Sequence, residues 1–265
     1  MSFLSRRSVF AAAALAVAAA FAAPASAQDK LNVGVYSSNP PWEFKNDKGE
    51  FEGFEVDLVK EIGKRLNMGV ELTPMEFQAL FAATSSKRID IAISSITITP
   101  KRLESQSFAQ AYYDSDLGMA AKKASSFNKL DDLKGKAVGV LSTSTGDMWA
   151  KENQAKYGYT IKGYNAQTEM LLDLGNGRID AVITDVPGLE FAFVKTPDLV
   201  VKDRIKTGEQ YSLMMTKNHP LLEKINAIIT DMKKDGSLAA IHKKWFGTDP
   251  QADGSTAQVK PLPKL

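Results

Sequence analysis

The sequence contains no cysteine and only two histidines, at positions 219 and 242. These absences exclude a thiol nucleophile and a histidine-rich metal site, and they leave the fold without disulfides. A glycine-rich phosphate loop is also lacking, because the GKAVG segment at 135–139 has the wrong spacing for the known fingerprints. We therefore expect no cofactor and no bound metal.

An excess of charge is lacking as well, once the N-terminal segment is set aside. Residues 1–27 contain two of the 33 lysines and arginines and none of the 31 aspartates and glutamates, so the remainder carries 31 residues of each sign. A chain without a charge excess is poorly suited to nucleic acid or to anionic membranes. No apolar run of about 20 residues follows Ala27, so no membrane-spanning helix is predicted there.

Residues 1–27 show the three parts of a signal peptide. Arg6 and Arg7 precede an apolar run over residues 9–23, and Ala25-Ser26-Ala27 forms a cleavage motif. This order predicts a secretory signal peptide that is cleaved after Ala27. The paired arginines are compatible with both the general and the twin-arginine export routes. Because there is no cysteine for lipid attachment, we expect the exported chain to be retained in a Gram-negative periplasm.

Strand and helix patterns alternate along the rest of the chain, which indicates an α/β fold. Residues 251–265 are polar and lack any periodicity, which predicts a flexible tail. The predicted strands cover 31–36, 69–73, 89–94, 136–141 and 179–184, and the predicted helices cover 54–66, 77–84, 146–157, 168–174 and one segment on each side of Gly236.

One nine-residue pattern occurs twice. Residues 87–95 (KRIDIAISS) and 177–185 (GRIDAVITD) share an Arg-Ile-Asp motif, an apolar stretch and a polar end. Such short strands can match by chance, or they are equivalent strands in two α/β lobes of similar topology. In open α/β sheets, ligands bind beyond the carboxyl ends of the strands. Ser94-Ser95 and Thr184-Asp185 are expected at those ends.

Two charged residues stand out by their positions. Thr99 and Pro100 predict the start of a helix, which places Arg102 in the first turn, where a cation is unfavourable to the helix dipole. Asp185 ends a buried strand, an expensive place for a carboxylate without a cationic partner. Each residue either belongs to a structural ion pair or an exposed chain end, or binds a ligand group of opposite charge.

Several segments resemble the periplasmic solute-binding proteins of family 3, which serve ABC transporters of polar amino acids. The segments are NPPWEF at 39–44, GFEVDL at 53–58, SSITITPKR at 94–102, DDLKGKAVGV at 131–140, and DGS at 235–237 followed by KWFG at 244–247. They occur in the order of the family and cover nearly all of residues 30–248. The resemblance implies a two-lobed α/β fold, the type II periplasmic binding protein fold, with a ligand cleft between lobes joined by two hinge strands.

The same resemblance implies how the chain is divided between the lobes. Lobe 1 is expected to comprise residues 28–116 and to be completed by residues 212–250. Lobe 2 is expected to comprise residues 117–211, with the crossings near 115–119 and 210–214. The implied function is the binding of an L-amino acid and its delivery to an inner-membrane ABC permease, by a monomer that is not an enzyme.

The family's residues for the amino-acid backbone can be placed by position. Arg102 corresponds to the arginine that grips the α-carboxylate with a bidentate fork. Asp185 corresponds to the acceptor of the α-ammonium group. A single zwitterion would therefore supply the missing partner of both residues. The supporting polar residues implied by the resemblance are Ser95, Thr97 and Thr145 for the carboxylate and Ser94 for the ammonium group.

The residues near the ligand's side chain are Phe77, Tyr36 and Asn39. Phe77 is expected to pack on the side chain, although a core aromatic is the alternative. The family often has an acid where this chain has Tyr36 and an aromatic where it has Asn39. Because a cationic ligand needs a nearby carboxylate, we expect a neutral ligand side chain. In the alternative, Tyr36 and Asn39 point away and Glu43 or Glu76 serves the pocket.

Two other functions are considered. The first is a lyase on the same scaffold, similar to cyclohexadienyl dehydratase, whose catalytic glutamate would align with Gly188 in the sequence TDVPG at 184–188. A glycine at that position disfavours catalysis. The second is the sensor module of a receptor, which would require a membrane anchor or an effector domain.

Overall fold

The computed structural model describes residues 29–265, so the predicted signal peptide lies outside the described residues. The strands are β1 (Lys30–Val35), β2 (Ser38–Asn39), β3 (Glu43–Lys45), β4 (Phe51–Glu52), β5 (Gly69–Pro74), β6 (Ile91–Ile93), β7 (Gln106–Phe108), β8 (Tyr113–Lys122), β9 (Ala137–Leu141), β10 (Thr160–Tyr164), β11 (Ala181–Asp185), β12 (Leu199–Tyr211) and β13 (Met214–Thr216). The helices are α1 (Phe54–Leu66), α2 (Phe77–Ser85), α3 (Pro100–Ser105), α4 (Thr145–Tyr157), α5 (Gln167–Gly175), α6 (Val186–Phe193), α7 (Leu222–Lys234) and α8 (Ser237–Phe246). None of these helices is long and apolar enough to cross a membrane.

Two five-stranded sheets of the same topology form the two lobes. Lobe 1 contains the sheet β5-β1-β6-β13-β7, and lobe 2 contains the sheet β10-β9-β11-β8-β12. In each sheet the central strand has a parallel neighbour on one side and an antiparallel neighbour on the other. A small sheet of order β2-β3-β4 is added to lobe 1. The predicted two-lobed α/β fold is confirmed.

The repeated sequence pattern corresponds to the central strands β6 and β11. Its aspartates make the same contact in both lobes, because Asp90 Oδ2 accepts from the Asn32 N–H and Asp180 Oδ2 accepts from the Ala137 N–H, each at 2.8 Å. Both strands are buried on both faces, as their apolar composition predicts. The two segments are therefore equivalent parts of two similar lobes.

The chain passes between the lobes along two neighbouring strands. In β8 and β12, Tyr113 pairs with Tyr211 and Ser115 pairs with Glu209, so the outgoing and returning segments lie side by side. Beyond β12, the Ser212 N–H donates to the Ile96 carbonyl at 3.0 Å and the chain re-enters lobe 1. The expected crossings at 115–119 and 210–214 overlap or adjoin this junction, and the lobe boundaries given above stay predictions.

The returning segment completes lobe 1 through helices α7 and α8. Helix α1 presents Leu58, Val59 and Ile62, all fully buried, to the core of this lobe. Helix α8 packs on both α1 and α7. Arg65 at the end of α1 joins Asp235, beyond α7, in an ion pair of 2.8 Å.

The segment 251–265, for which a flexible tail is predicted, makes hydrogen bonds with the rest of the chain at residues 255–258. Ser255 is fully buried and its N–H donates to Asp114 Oδ2 at 2.5 Å. The Thr256 hydroxyl donates to the Tyr112 carbonyl at 2.8 Å, and Lys233 Nζ donates to the Gln258 carbonyl at 2.9 Å. The segment is held by hydrogen bonds to polar groups rather than by an apolar face, so hydrophobic periodicity gave no sign of it.

Candidate functional site

The carboxyl ends of the central strands face a cleft between the lobes. The structure brings together all nine residues that the sequence singled out, and their roles in binding stay predictions. The lining consists of Tyr36, Asn39, Trp42, Phe77, Ser94, Ser95, Thr97, Arg102, Leu141, Ser144, Thr145, Gln167, Thr184, Asp185 and Gly188.

Arg102 reaches the cleft from the first turn of helix α3. The helix begins as predicted, because the Thr99 hydroxyl accepts from the Arg102 N–H at 3.2 Å and Pro100 is the first helical residue. The side chain is held by backbone oxygens, with Nη1 donating to the Thr97 carbonyl at 2.8 Å and Nη2 to the Thr143 carbonyl of lobe 2 at 3.2 Å. These neutral partners orient the guanidinium without neutralising its charge.

Aromatic rings cover the Arg102 side chain. Its guanidinium carbon lies 4.9 Å from the Phe81 ring centroid and 5.9 Å from that of Phe77. Burial lowers the pKa of Arg102 to about 10, although Glu209 and Asp185 oppose this shift. The group is therefore still a cation at neutral pH. Phe77 lines the cleft and belongs to a core cluster at the same time, so the two expectations for it are compatible.

Asp185 lies across the cleft at the end of β11. Removal from water raises the pKa of its carboxyl to about 8, with a further contribution from the negative charge of Glu209 and opposition from Arg102. A carboxyl group with so high a pKa lacks sufficient positive charge around it. An ammonium group placed beside Asp185 would restore its ionised form.

Glu209 is a buried carboxyl that the sequence did not reveal. It lies on β12 and accepts a hydrogen bond from the Thr97 hydroxyl at 2.9 Å and another from the Thr145 side chain. Burial raises its pKa, which these two hydrogen bonds and the charge of Arg102 lower again. In the sequence it sits among Lys, Asp, Arg and Gln residues of a largely polar strand, so nothing distinguished it.

Tyr36 joins the two lobes across the cleft. Its hydroxyl oxygen accepts from the Gln167 N–H, at the first residue of α5, at 2.9 Å in a buried environment. Burial raises the pKa of Tyr36, so the neutral phenol is the stable form. Together with the bond from Arg102 to Thr143, this contact links lobe 1 to lobe 2 on the cleft side.

A second pair of acids lies behind the cleft wall of lobe 1. Glu43 and Glu55 are both fully buried. Glu43 Oε1 accepts from Asn39 Nδ2 at 3.2 Å and from the Ser94 hydroxyl, while Glu55 Oε1 accepts from the Ser95 N–H at 2.7 Å. Burial and the neighbouring Glu55 raise the pKa of Glu43 well above its usual value, so Glu43 is neutral.

Neither of the alternative acids considered for the pocket belongs to its lining. Glu43 lies beneath Asn39 in neutral form, and Glu76 is exposed outside the lining. Gly188 lines the cleft, and a Cβ placed there would meet Gln167 Nε2 at 3.4 Å. The position that would carry the catalytic acid of the lyase thus has no ionisable group.

Comparison with protein families identifies one match that spans nearly the whole described chain. The sequence model of the bacterial extracellular solute-binding proteins, family 3, matches residues 31–248. The L-cystine-binding protein TcyJ of Escherichia coli K12 is 32% identical over 223 residues, covering 83% of this chain and 83% of that protein. The histidine-binding periplasmic protein of Salmonella typhimurium is 33% identical over 245 residues, covering 89% and 94%.

Solved structures show the same architecture. An ancestral arginine-binding protein is 36% identical to this chain and covers 83% of it, with 99% of that protein matched. The TM-score is 0.80 for its structure bound to arginine and 0.79 for its structure bound to glutamine. The similarity therefore extends to both lobes and to nearly the full length of that protein.

Proposed function

Because the chain belongs to the bacterial extracellular solute-binding proteins of family 3, we propose that it binds one L-amino acid between its lobes and delivers it to an ABC-type permease. The observation that carries the proposal is the pairing of opposite charges across the cleft. Lobe 1 supplies a buried cation, Arg102, and lobe 2 supplies a carboxyl, Asp185, that lacks positive charge. A zwitterion satisfies both.

In the proposed complex, Arg102 donates two parallel hydrogen bonds to the α-carboxylate. Ser95 adds a hydroxyl donor. The hydroxyls of Thr97 and Thr145 are engaged by Glu209, so these two residues add backbone N–H groups, that of Thr145 from the first turn of α4, where free N–H groups favour an anion. Asp185 accepts from the α-ammonium group, and Ser94 assists it. Since the two charged ends come from different lobes, the ligand stabilises the closed arrangement of the cleft.

The ligand's side chain is proposed to be neutral. The named relatives bind cystine, histidine and arginine, so the family alone does not decide the side-chain charge. Apart from Asp185, which takes the ammonium group, the lining contains no acidic residue. A cationic side chain would therefore be desolvated without a partner. Tyr36 and Asn39 offer neutral polar groups, and Phe77 offers an apolar face.

The proposed setting is the periplasm, with the signal peptide removed after Ala27 and the protein acting as a monomer. The relatives named above include a periplasmic protein, and the family is described as extracellular. A lyase activity is not favoured, because Gly188 occupies the place of the catalytic acid.

A thermal-shift screen over the natural amino acids tests the proposal. A ligand present at about 100 times its dissociation constant stabilises the folded chain by roughly 2.7 kcal/mol, which is readily measured. We expect one or a few neutral amino acids to raise the melting temperature. Calorimetry on the same ligand should show binding heat without product formation. A screen in which no amino acid stabilises the chain would contradict the proposal.

A further inference from the structure

The two buried acids behind the cleft wall of lobe 1 do not touch the proposed ligand. We propose that Glu43 is a positioning residue, which fixes the direction of the hydrogen bonds of Asn39 and Ser94. Asn39 and Ser94 can then only accept hydrogen bonds from a ligand, so the ligand's side chain must donate one to Asn39. The inference rests on the proposed function, because it requires an amino acid in the cleft.

The two buried acids Glu43 and Glu55 hold one proton between them. Glu43 and Glu55 are close enough for each carboxyl group to shift the pKa of the other. The oxygens Glu43 Oε2 and Glu55 Oε2 are fully buried and have no hydrogen-bond partner among residues 29–265. Two neighbouring buried carboxyl groups do not both ionise, so the pair holds one proton, and these two oxygens are the ones left to take it.

Of the two acids, Glu43 carries that proton. Glu55 is stabilised as the carboxylate, because it accepts from the Ser95 N–H at 2.7 Å and from the Tyr112 hydroxyl. Glu43 has no backbone donor among its partners, and the charge of Glu55 favours its neutral form. The proton therefore resides on Glu43 Oε2, which accepts no other hydrogen bond, and points towards the Glu55 carboxylate.

A protonated Glu43 fixes the direction of the hydrogen bonds of its two neighbours, Asn39 and Ser94. With its proton on Oε2, Glu43 offers Oε1 as a carbonyl oxygen, which only accepts. Asn39 must present its amide nitrogen there, at 3.2 Å, and its second amide hydrogen goes to Ser95 Oγ at 3.0 Å. Ser94 donates its only proton to the same Oε1. Neither side chain has a hydrogen left for a ligand.

The polarity of the cleft wall is thereby set. Asn39 is left with Oδ1, and Ser94 with the lone pairs of Oγ, so both accept only. Ser94 then suits the α-ammonium group beside Asp185. Ser95 Oγ, which accepts from Asn39, keeps its own proton for the α-carboxylate. The ligand class that fits is a neutral amino acid whose side chain carries a donor, an amide or a hydroxyl.

The test compares three probes of similar shape. L-Glutamine carries a side-chain N–H₂, L-glutamate carries a carboxylate, and the γ-methyl ester of L-glutamate is neutral but has no donor. We expect calorimetry on the mature chain to show glutamine binding about 10²-fold or more tightly than either analogue, because each leaves Asn39 Oδ1 without a hydrogen. The ester separates the loss of a donor from the burial of a charge.

Variants of Glu43 show whether this residue sets the preference. In Glu43→Gln, the amide oxygen accepts from Asn39 and Ser94 and the amide nitrogen donates to Glu55, so the preference should be retained within about threefold. In Glu43→Leu, Asn39 is free to turn and present its nitrogen, so the preference for glutamine over the ester should fall by about tenfold or more. Val59→Ala, a buried change on the helix that carries Glu55, is the control for destabilisation of lobe 1 alone.

Infrared spectroscopy reads the proton directly. At neutral pH, the wild type minus Glu43→Gln difference spectrum of the ligand-bound protein should contain the C=O band of a protonated carboxylic acid. Absence of this band overturns the inference, as does a folded Glu43→Leu variant with the full preference. If glutamine is bound, equal binding of the ester overturns it as well. If another amino acid gives the largest thermal shift, a side-chain donor on it supports the inference and an aliphatic or acidic side chain overturns it. A chain that binds no amino acid contradicts the proposed function instead.

Discussion

Strands β6 of lobe 1 and β11 of lobe 2 occupy the same place in two sheets of the same topology, and both direct their carboxyl ends into the cleft. Strand β6 is followed by two serines, with the fully buried acids Glu43 and Glu55 one layer behind. Strand β11 ends in Asp185, which faces the cleft itself. Both lobes contain the same type of sheet, but only the central strand of lobe 2 ends in an acid that faces the cleft. This difference gives a zwitterion only one favourable orientation.

The largest expected effect on affinity comes from removing either of the two charged groups that face each other across the cleft. Arg102→Ala and Asp185→Asn should each lower affinity by about 10²–10³-fold or more, because one buried charge of the complex loses its partner. Calorimetry with the best ligand of the screen gives the measurement. Asp180→Asn, in the same repeat but outside the cleft, is the control. Near-normal affinity in either cleft variant would show that the assignment of that residue is wrong.

A smaller effect is expected from pH. The pKa of Asp185 is raised to about 8 in the unliganded cleft, and an ammonium group beside it lowers that pKa. Binding at neutral pH should therefore release up to about one proton, and affinity should fall by about tenfold for each pH unit below 8. Calorimetry in two buffers of different ionisation enthalpy measures the released proton. Asp185→Asn should abolish the proton release, and an affinity that does not change between pH 6 and 8 contradicts this account.

The contact between the lobes should contribute less. Tyr36→Phe removes the acceptor of the Gln167 N–H, which costs the closed arrangement roughly 1 kcal/mol and lowers affinity about fivefold. Small-angle scattering should also show a less compact ligand-bound state. Tyr157→Phe, on α4 outside the cleft, serves as the matched control. If Tyr36→Phe binds as the wild type does, the contact does not contribute to closure.

The smallest effect on binding is expected where the two lobes are alike. Asp90→Ala and Asp180→Ala each remove the acceptor of one backbone N–H, bonded at 2.8 Å in both lobes. Each variant should lose about 1 kcal/mol of unfolding free energy, with an unchanged dissociation constant. Urea unfolding and calorimetry measure the two quantities. A large loss of affinity in only one of the two variants would contradict this prediction. It would show that the two strands contribute differently to binding although their hydrogen bonds are the same.

Local patterns predicted the framework of the fold well. The expected helix over 54–66 has the observed bounds, and the cap at Thr99 places Arg102 as the pattern indicated. The repeat at 87–95 and 177–185 marked the two central strands. These features depend on neighbouring residues in the chain, so the sequence displays them directly.

The site was predicted less completely, because part of it depends on contacts between distant segments. All nine predicted residues line the cleft. The neutral state of Glu43, however, depends on Glu55 and on burial that only the tertiary structure creates. Glu209 and the ordered segment after α8 were missed for the same reason, since the partner of Ser255, Asp114, is 141 positions away.

The antiparallel partner of β6 in lobe 1 arrives late in the chain. Strand β13 pairs Met214 with Ala92, more than a hundred residues after β6, whereas β8 to β12 of lobe 2 follow one another without interruption. During synthesis, lobe 2 can assemble from a continuous stretch, while the backbone N–H and C=O groups along one edge of β6 stay unpaired. Such an edge is open to pairing with other chains. Of the two halves of the molecule, the newly made first lobe therefore has the greater need of a chaperone until its last strand has emerged.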